Sequence, residues 1–299
     1  PDGKIIGIWF NAPELTVGSL DGAVEEFDEL PGKVSLLVIK DQAVLAARNE
    51  HEPLAVGSAF KLAILAALKD LVAAGVLAWD DVVTLEAGDK SLPTGMLQDW
   101  PEGTALTLET LAALMISISD NTATDALLRV VGRELVEQYA PRNVPFLSTR
   151  EVFALNNPDN AELLAAFRAG DVAEKRALLT QLAEAQLPHP GVFTEPPKAM
   201  DVEWHFSTFE LANLIFYVHD LPLMSINPGL ASPDDWQYVA FKGGAMPGVL
   251  NFTTLLVGET GATYIVSATW NNPEGHVEEV KFASLYKGLL QAIRELEAQ

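Results

Sequence analysis

Between Ser58 and Ala74 the chain carries a helix-forming run that is apolar on nearly every side: Phe60, Leu62, Ala63, Ile64, Leu65, Ala66, Ala67, Leu68 and Leu71. A surface helix has one apolar stripe, whereas a helix apolar all round must be enclosed. The unbroken apolar run Leu62 to Leu68 is far shorter than the roughly 20 residues that span a bilayer, so protein and not lipid must enclose it. A chain of 299 residues can do so, since one of that size buries roughly 75% of its unfolded surface. Two polar residues break the run early. Ser58 and Lys61 are three apart and share a helix face, which puts the amine within reach of the hydroxyl. Desolvation lowers the pKa of such a lysine and leaves a neutral amine able to act as a base. That is one way to activate a serine without histidine. The plainer reading has Ser58 starting the helix and Lys61 reaching water.

Composition removes several function classes. With 19 Lys plus Arg against 41 Asp plus Glu the formal charge is −22, which opposes nucleic acid and anionic membrane surfaces. There is no cysteine, so disulfides, zinc–thiolate sites and thiol nucleophiles are excluded. The five histidines, His51, His189, His205, His219 and His276, have no metal-binding spacing, and no Walker A or GxGxxG sequence occurs. The expectation is no metal, no cofactor, no nucleic-acid partner and no membrane insertion of this chain.

The chain order predicts one α/β (α+β) fold. Residues 1–16 are read as a strand, Ile5 to Phe10, with a linker; it is either an edge strand of this fold or the end of an upstream domain of the same protein. Residues 17–299 form the main domain. Helix Asp21 to Leu30 precedes strands Lys33 to Lys40 and Ala43 to Asn49. A helical block, about 57–199, includes helices Ser58 to Ala74, Thr107 to Ile118, Thr122 to Val131, Asn160 to Arg168 and Asp171 to Leu187. Ser207 and Glu210 have capping-box spacing before a helix to Val218. Strands Gln237 to Lys242, Val249 to Gly258 and Thr263 to Asn271 follow, then helix Glu278 to Leu296. This order predicts an antiparallel five-stranded sheet built from both ends of the chain, covered by the terminal helices, with an all-helical lobe inserted.

Two further polar clusters interrupt apolar surroundings. Ser119-Asp120-Asn121 separates two helices; Asp and Asn are favoured caps, yet Ser119 could pass a proton and Asn121 could hold Lys61 or a substrate amide. Lys242-Gly243-Gly244-Ala245 sits at the end of an apolar strand, where the glycines allow close approach and the Ala245 amide could donate. The plainer reading is a strand-end lysine before a turn.

SxxK, SDN and a Lys-Gly triad on a strand, in that order, resemble the motif set of class A β-lactamases and penicillin-binding proteins. The resemblance runs from about Asp21 to Leu296, and the motif spacing fits the class A branch better than the larger transpeptidases. It implies Ser58 as acylated nucleophile, Lys61 as its activating amine, Ser119 as proton shuttle, Asn121 as a positioning group and Lys242 as partner of Ser119 and of a substrate carboxylate. The amides of Ser58 and Ala245 would form the oxyanion hole. The family is usually extracytoplasmic, which implies a periplasmic or secreted location.

Two departures stand out. Class A enzymes carry ExxLN after SDN, where the Glu primes the deacylating water. Counting back from Leu155-Asn156 puts Val152 at that position, with Glu151 one residue out of register. Glu151 is then either a shifted deacylation residue or a salt-bridged loop residue beside Arg150. Gly243 stands where the family usually has Thr or Ser, whose hydroxyl helps bind the β-lactam carboxylate. The stretch from Asn157 to Ser207 is also longer than a compact class A enzyme needs. The expected function is a serine hydrolase acting through an acyl-Ser58 ester on a small ester or β-lactam-like substrate, with esterase or weak β-lactamase activity. The alternative is a β-lactam-binding or sensor module with little turnover.

Overall fold

The computed structural model describes residues 19–194 and 196–298; the strand expected at Ile5 to Phe10 lies outside the described residues. Five antiparallel strands form the main sheet, in spatial order Ala43–Arg48, Lys33–Lys40, Thr263–Asn271, Val249–Val257, Tyr238–Met246. The two ends of the chain meet in its centre, where Leu36 pairs with Ala268 and Leu37 with Ser267. Both faces are covered, so the central strands bury both side-chain rows. Leu36 and Val38 join a core with Phe27, Trp270, Phe282 and Tyr286, under the first helix, Leu20–Glu25, and the last, Glu279–Glu297. Leu37 and Ile265 face the opposite way, into a larger core shared with helices Lys61–Ala73 and Thr208–Val218.

The apolar run is enclosed as its composition requires. The chain enters through a 3-10 turn, Gly57–Phe60, and the α-helix proper is Lys61–Ala73, with every residue from Lys61 to Leu68 buried. Ser58 is therefore in the turn and not in the helix. Leu62, Ile64, Leu65 and Leu68 are fully buried, each contributing roughly 1.5–3 kcal/mol. Together they exceed the several kcal/mol that burying a charged Lys61 would cost.

Three expectations change. The strand that should end at Lys242 continues through both glycines to Met246, with Gly243 paired to Phe252 and Gly244 to Asn251. Ladder hydrogen bonds with Val249–Val257 carry it past the residues that weaken it. Helix Asp171 to Leu187 is shorter, Val172–Glu184. The segment around Glu151 is a helix, Thr149–Asn156, opened by a capping box of Ser148 and Glu151, and a further helix covers Arg133–Tyr139. Trp204, Trp236 and Trp270 are core residues, and Trp204 stacks on Phe60 at 3.7 Å. Among the described residues no helix is long and apolar enough to cross a membrane.

Candidate active site

Glycine is what brings two separated segments together. Gly57 has φ +50°, and a Cβ there would lie 2.7 Å from the Ala245 amide nitrogen; a Cβ on Gly244 would lie 2.6 Å from the Ser58 amide nitrogen and 2.7 Å from that of Ala59. No side chain fits on either side. The outermost strand of the sheet thus abuts the Gly57–Phe60 turn backbone to backbone, and the amides of Ser58 and Ala245 come to the same place. Both residues line a cleft of about 690 Å³ between the sheet edge and the helical lobe, along with Ser119, Asn121, Lys242, Gly243 and Gly244.

Behind it lies Lys61, fully buried. Its Nζ donates to Ser119 O at 2.6 Å and Asn121 Oδ1 at 2.6 Å and lies 3.1 Å from Ser119 Oγ. The direct contact with Ser58 expected from SxxK spacing is replaced by these partners; among the described residues no hydrogen bond engages the Ser58 hydroxyl. Burial, then the charge of Lys242, hold the Lys61 amine well below its ordinary pKa, against the opposing pull of Asp125 and Asp120. Lys242 Nζ reaches Ser119 Oγ at 3.1 Å and Gly243 O at 2.6 Å, and burial pushes its pKa down to about 7. A neutral Lys61 has two N–H groups for the two carbonyl oxygens and a lone pair for the Ser119 hydroxyl.

Ser119 pays for this position with φ +58°, an uncommon conformation for a non-glycine residue. The loop is pinned around it. Thr94 Oγ1 donates to Ser119 O at 2.6 Å, and Asn121 Nδ2 donates to Leu92 O at 3.0 Å. The Asp120 carboxylate caps its helix through Ala123 N at 2.8 Å and takes the amides of Met96 at 2.7 Å and Leu97 at 3.0 Å. Thr94 and the 92–97 loop carried no sequence motif; only the positive φ, invisible in sequence, demands them.

Glu151 is placed elsewhere. It is buried, paired bidentately with Arg133 at 2.8 and 3.0 Å and accepting from Ser148 N at 2.7 Å. Its partner is Arg133, not the adjacent Arg150, whose guanidinium donates to backbone carbonyls of Ala183 and Lys90. Val152 is in the core, and the helix turns Phe153 toward the cleft. Among the described residues lining the cleft the sole carboxylate is Glu279. No group of three or more His, Asp or Glu that could hold a metal occurs among the described residues.

Residues 20–184, more than half of the chain, match the model of the Beta-lactamase enzyme family. The chain belongs to this family. Membership in the Beta-lactamase enzyme family supports a serine-hydrolase type of activity in general. The fold agrees: a β-lactamase from Sphaerobacter thermophilus superposes with a TM-score of 0.66 at 19% identity, over 94% of this chain and 97% of that one. PBP-A superposes with 0.64 at 16%, over 96% and 99%. A β-lactamase from Chitinophaga pinensis gives 0.61 at 16%, over 92% and 98%. No curated protein sequence matches the chain.

Proposed function

We propose that the protein is a serine hydrolase that cleaves small carboxylic esters, and β-lactams weakly, through an acyl-Ser58 intermediate. The observation that carries this reading is the buried Lys61–Ser119–Lys242 array behind an unengaged Ser58 hydroxyl. Ser58 Oγ attacks the acyl carbon as its proton passes to the neutral amine of Lys61, whose lone pair turns from the Ser119 hydroxyl to Ser58 for this step. The carbonyl oxygen becomes an oxyanion facing the amides of Ser58 and Ala245; one such donor is worth ~3 kcal/mol. Ser119 Oγ donates a proton to the leaving oxygen and is reprotonated from the lysine amines on either side. Asn121 fixes Lys61. Water then adds to the ester, releasing the acid and restoring Ser58.

The second reading, a module acylated with little turnover, is favoured by one observation: Glu151 is tied to Arg133 and supplies no base for the deacylating water. A small acyl group can be released by less activated water, whereas a penicilloyl ester would persist. Incubation of the protein and Ser58→Ala with an acetoxy-bearing cephalosporin separates these outcomes by mass spectrometry. Loss of acetyl with the ring intact supports the esterase reading, ring opening the β-lactamase reading, and a stable adduct the sensor reading. Consumption that persists in Ser58→Ala, or no reaction by either molecule, counts against the nucleophile.

A further inference from the structure

The side-chain space missing at Gly243 is not empty. A Cβ built there would lie 2.9 Å from Phe241 Cζ and 3.3 Å from Phe252 Cδ1. The Phe241 ring, two residues earlier on the same strand, occupies that space, and Phe252 flanks it with centroids 6.1 Å apart. The ring is held from behind by Gly229, at φ +63°, where a Cβ would lie 2.7 Å from Phe241 Cδ1 and nearer still to its other carbons. Gly229 itself is fixed, because Asn227 Oδ1 accepts from Gly229 N at 2.9 Å while Asn227 Nδ2 donates to Ser117 O at 2.8 Å, at the end of the helix leading to Ser119. Two glycines and a pinned loop thus clamp one aromatic ring beside Lys242.

The rest of the wall agrees in character. Phe241, Phe252, Ile116 and Ile118 all line the cleft, as do Phe153 and Phe193, which meet edge to face at 5.1 Å. Cationic side chains are scarce. Among the described lining residues there is no arginine; Lys242 has donors committed to Ser119 Oγ and Gly243 O, and His276 is the other ionisable base. A carboxylate entering here would lose water and find at most Lys242, whose amine burial already pushes toward its neutral form, and the net charge of −22 repels it at long range.

We propose that the cleft selects neutral esters with an apolar or aromatic substituent next to the reacting carbonyl, and that Phe241, wedged between Gly229 and Gly243, is the residue that sets this specificity against carboxylate-bearing substrates. The proposal rests on the serine-hydrolase reading, with Ser58 as nucleophile.

Matched boronic acids test both layers separately, because the Ser58 oxygen adds to boron reversibly and no turnover is needed. The probes are 3-(methoxycarbonyl)phenylboronic acid and its free acid, 3-carboxyphenylboronic acid, titrated calorimetrically against the intact chain, Ser58→Ala and the double variant Phe241→Ala with Gly243→Thr. The intact chain is expected to bind the neutral ester about tenfold or more tightly than the carboxylate. The double variant, checked for an unchanged thermal transition, is expected to shrink that ratio to within about threefold. Equal or tighter carboxylate binding by the intact chain overturns the proposal while leaving Ser58 in place. An unchanged ratio in a folded double variant removes Phe241 from its role. Binding of neither boronate, or equal binding by Ser58→Ala, overturns the nucleophile reading and the proposal with it.

Discussion

Lys61 Nζ and Lys242 Nζ converge on a single oxygen, each 3.1 Å from Ser119 Oγ. Two ammonium groups that share one hydroxyl in a buried site repel each other, so the pair sheds a proton far more readily than exposed lysines. The titrations are coupled, and the inflections belong to the pair.

This coupling fixes the pH dependence of acylation. Lys61 acts as a base only when neutral, so kcat/KM falls as pH drops through its lowered pKa. Lys242 loses its charge at about 7. Lys242→Met removes the charge that depresses Lys61, so its acid limb should move to higher pH and the inflection near pH 7 should vanish. Profiles of ester hydrolysis between about pH 5 and 9 check this; superimposable curves for the two proteins contradict it.

Asp125 makes a separate, structural prediction. Burial raises its pKa to about 7, although the amides of Arg150, at 2.9 Å, and Thr149, at 2.7 Å, oppose the shift. The folded chain therefore binds more protons than the unfolded chain between about pH 4 and 7. That contribution to stability is present at acid pH and is lost as pH rises through 7, with an upper bound of about 4 kcal/mol. Asp125→Asn should show a smaller fall in thermal stability than the parent from about pH 5 to 8. An equal fall in both rejects the assignment.

Gly244→Ala drives a methyl group into the backbone of the Gly57–Phe60 turn. It should cost about 1–3 kcal/mol by urea denaturation, and lower the acylation rate about a hundredfold or more by parting the amides of Ser58 and Ala245. Acylation within about threefold of the parent would show that those amides do not act together.

Glu151→Ala discriminates between its two roles. Removing one partner of a buried, bidentate pair and of the helix cap should destabilise the fold by about 2–4 kcal/mol. The decay of the acyl-Ser58 adduct, followed by intact mass in the folded variant, should stay within about twofold of the parent. A large slowing would return Glu151 to deacylation.

The readable part of the site lay in local spacing. Ser58 with Lys61, and Ser119 with Asn121, are short motifs whose chemistry follows from their burial. The five-stranded sheet followed from the order of the elements, with strand-forming runs at both ends of the chain, those near the C-terminus rich in Val, Thr, Tyr and Phe. The rest depends on contacts distant in sequence. Gly57 against Gly244 and Ala245 spans the whole helical lobe, and nothing local states that Phe241 fills the place of a residue-243 side chain. The contacts of Lys61 with Ser119 and Asn121 likewise join segments far apart in the chain. The Thr149–Asn156 helix was signalled by the Ser148-x-x-Glu151 capping box, but counting family register across the same residues hid it.

The central claim is that Ser58 carries the acyl group. Rapid quenching of the protein with a neutral aryl ester such as 4-nitrophenyl butyrate, followed by intact mass and peptide mapping, reads this directly. The account predicts a transient butyryl adduct on Ser58, at the pace of a nitrophenol burst, and neither in Ser58→Ala. Turnover undiminished in Ser58→Ala, or an adduct mapped to another residue, would contradict it.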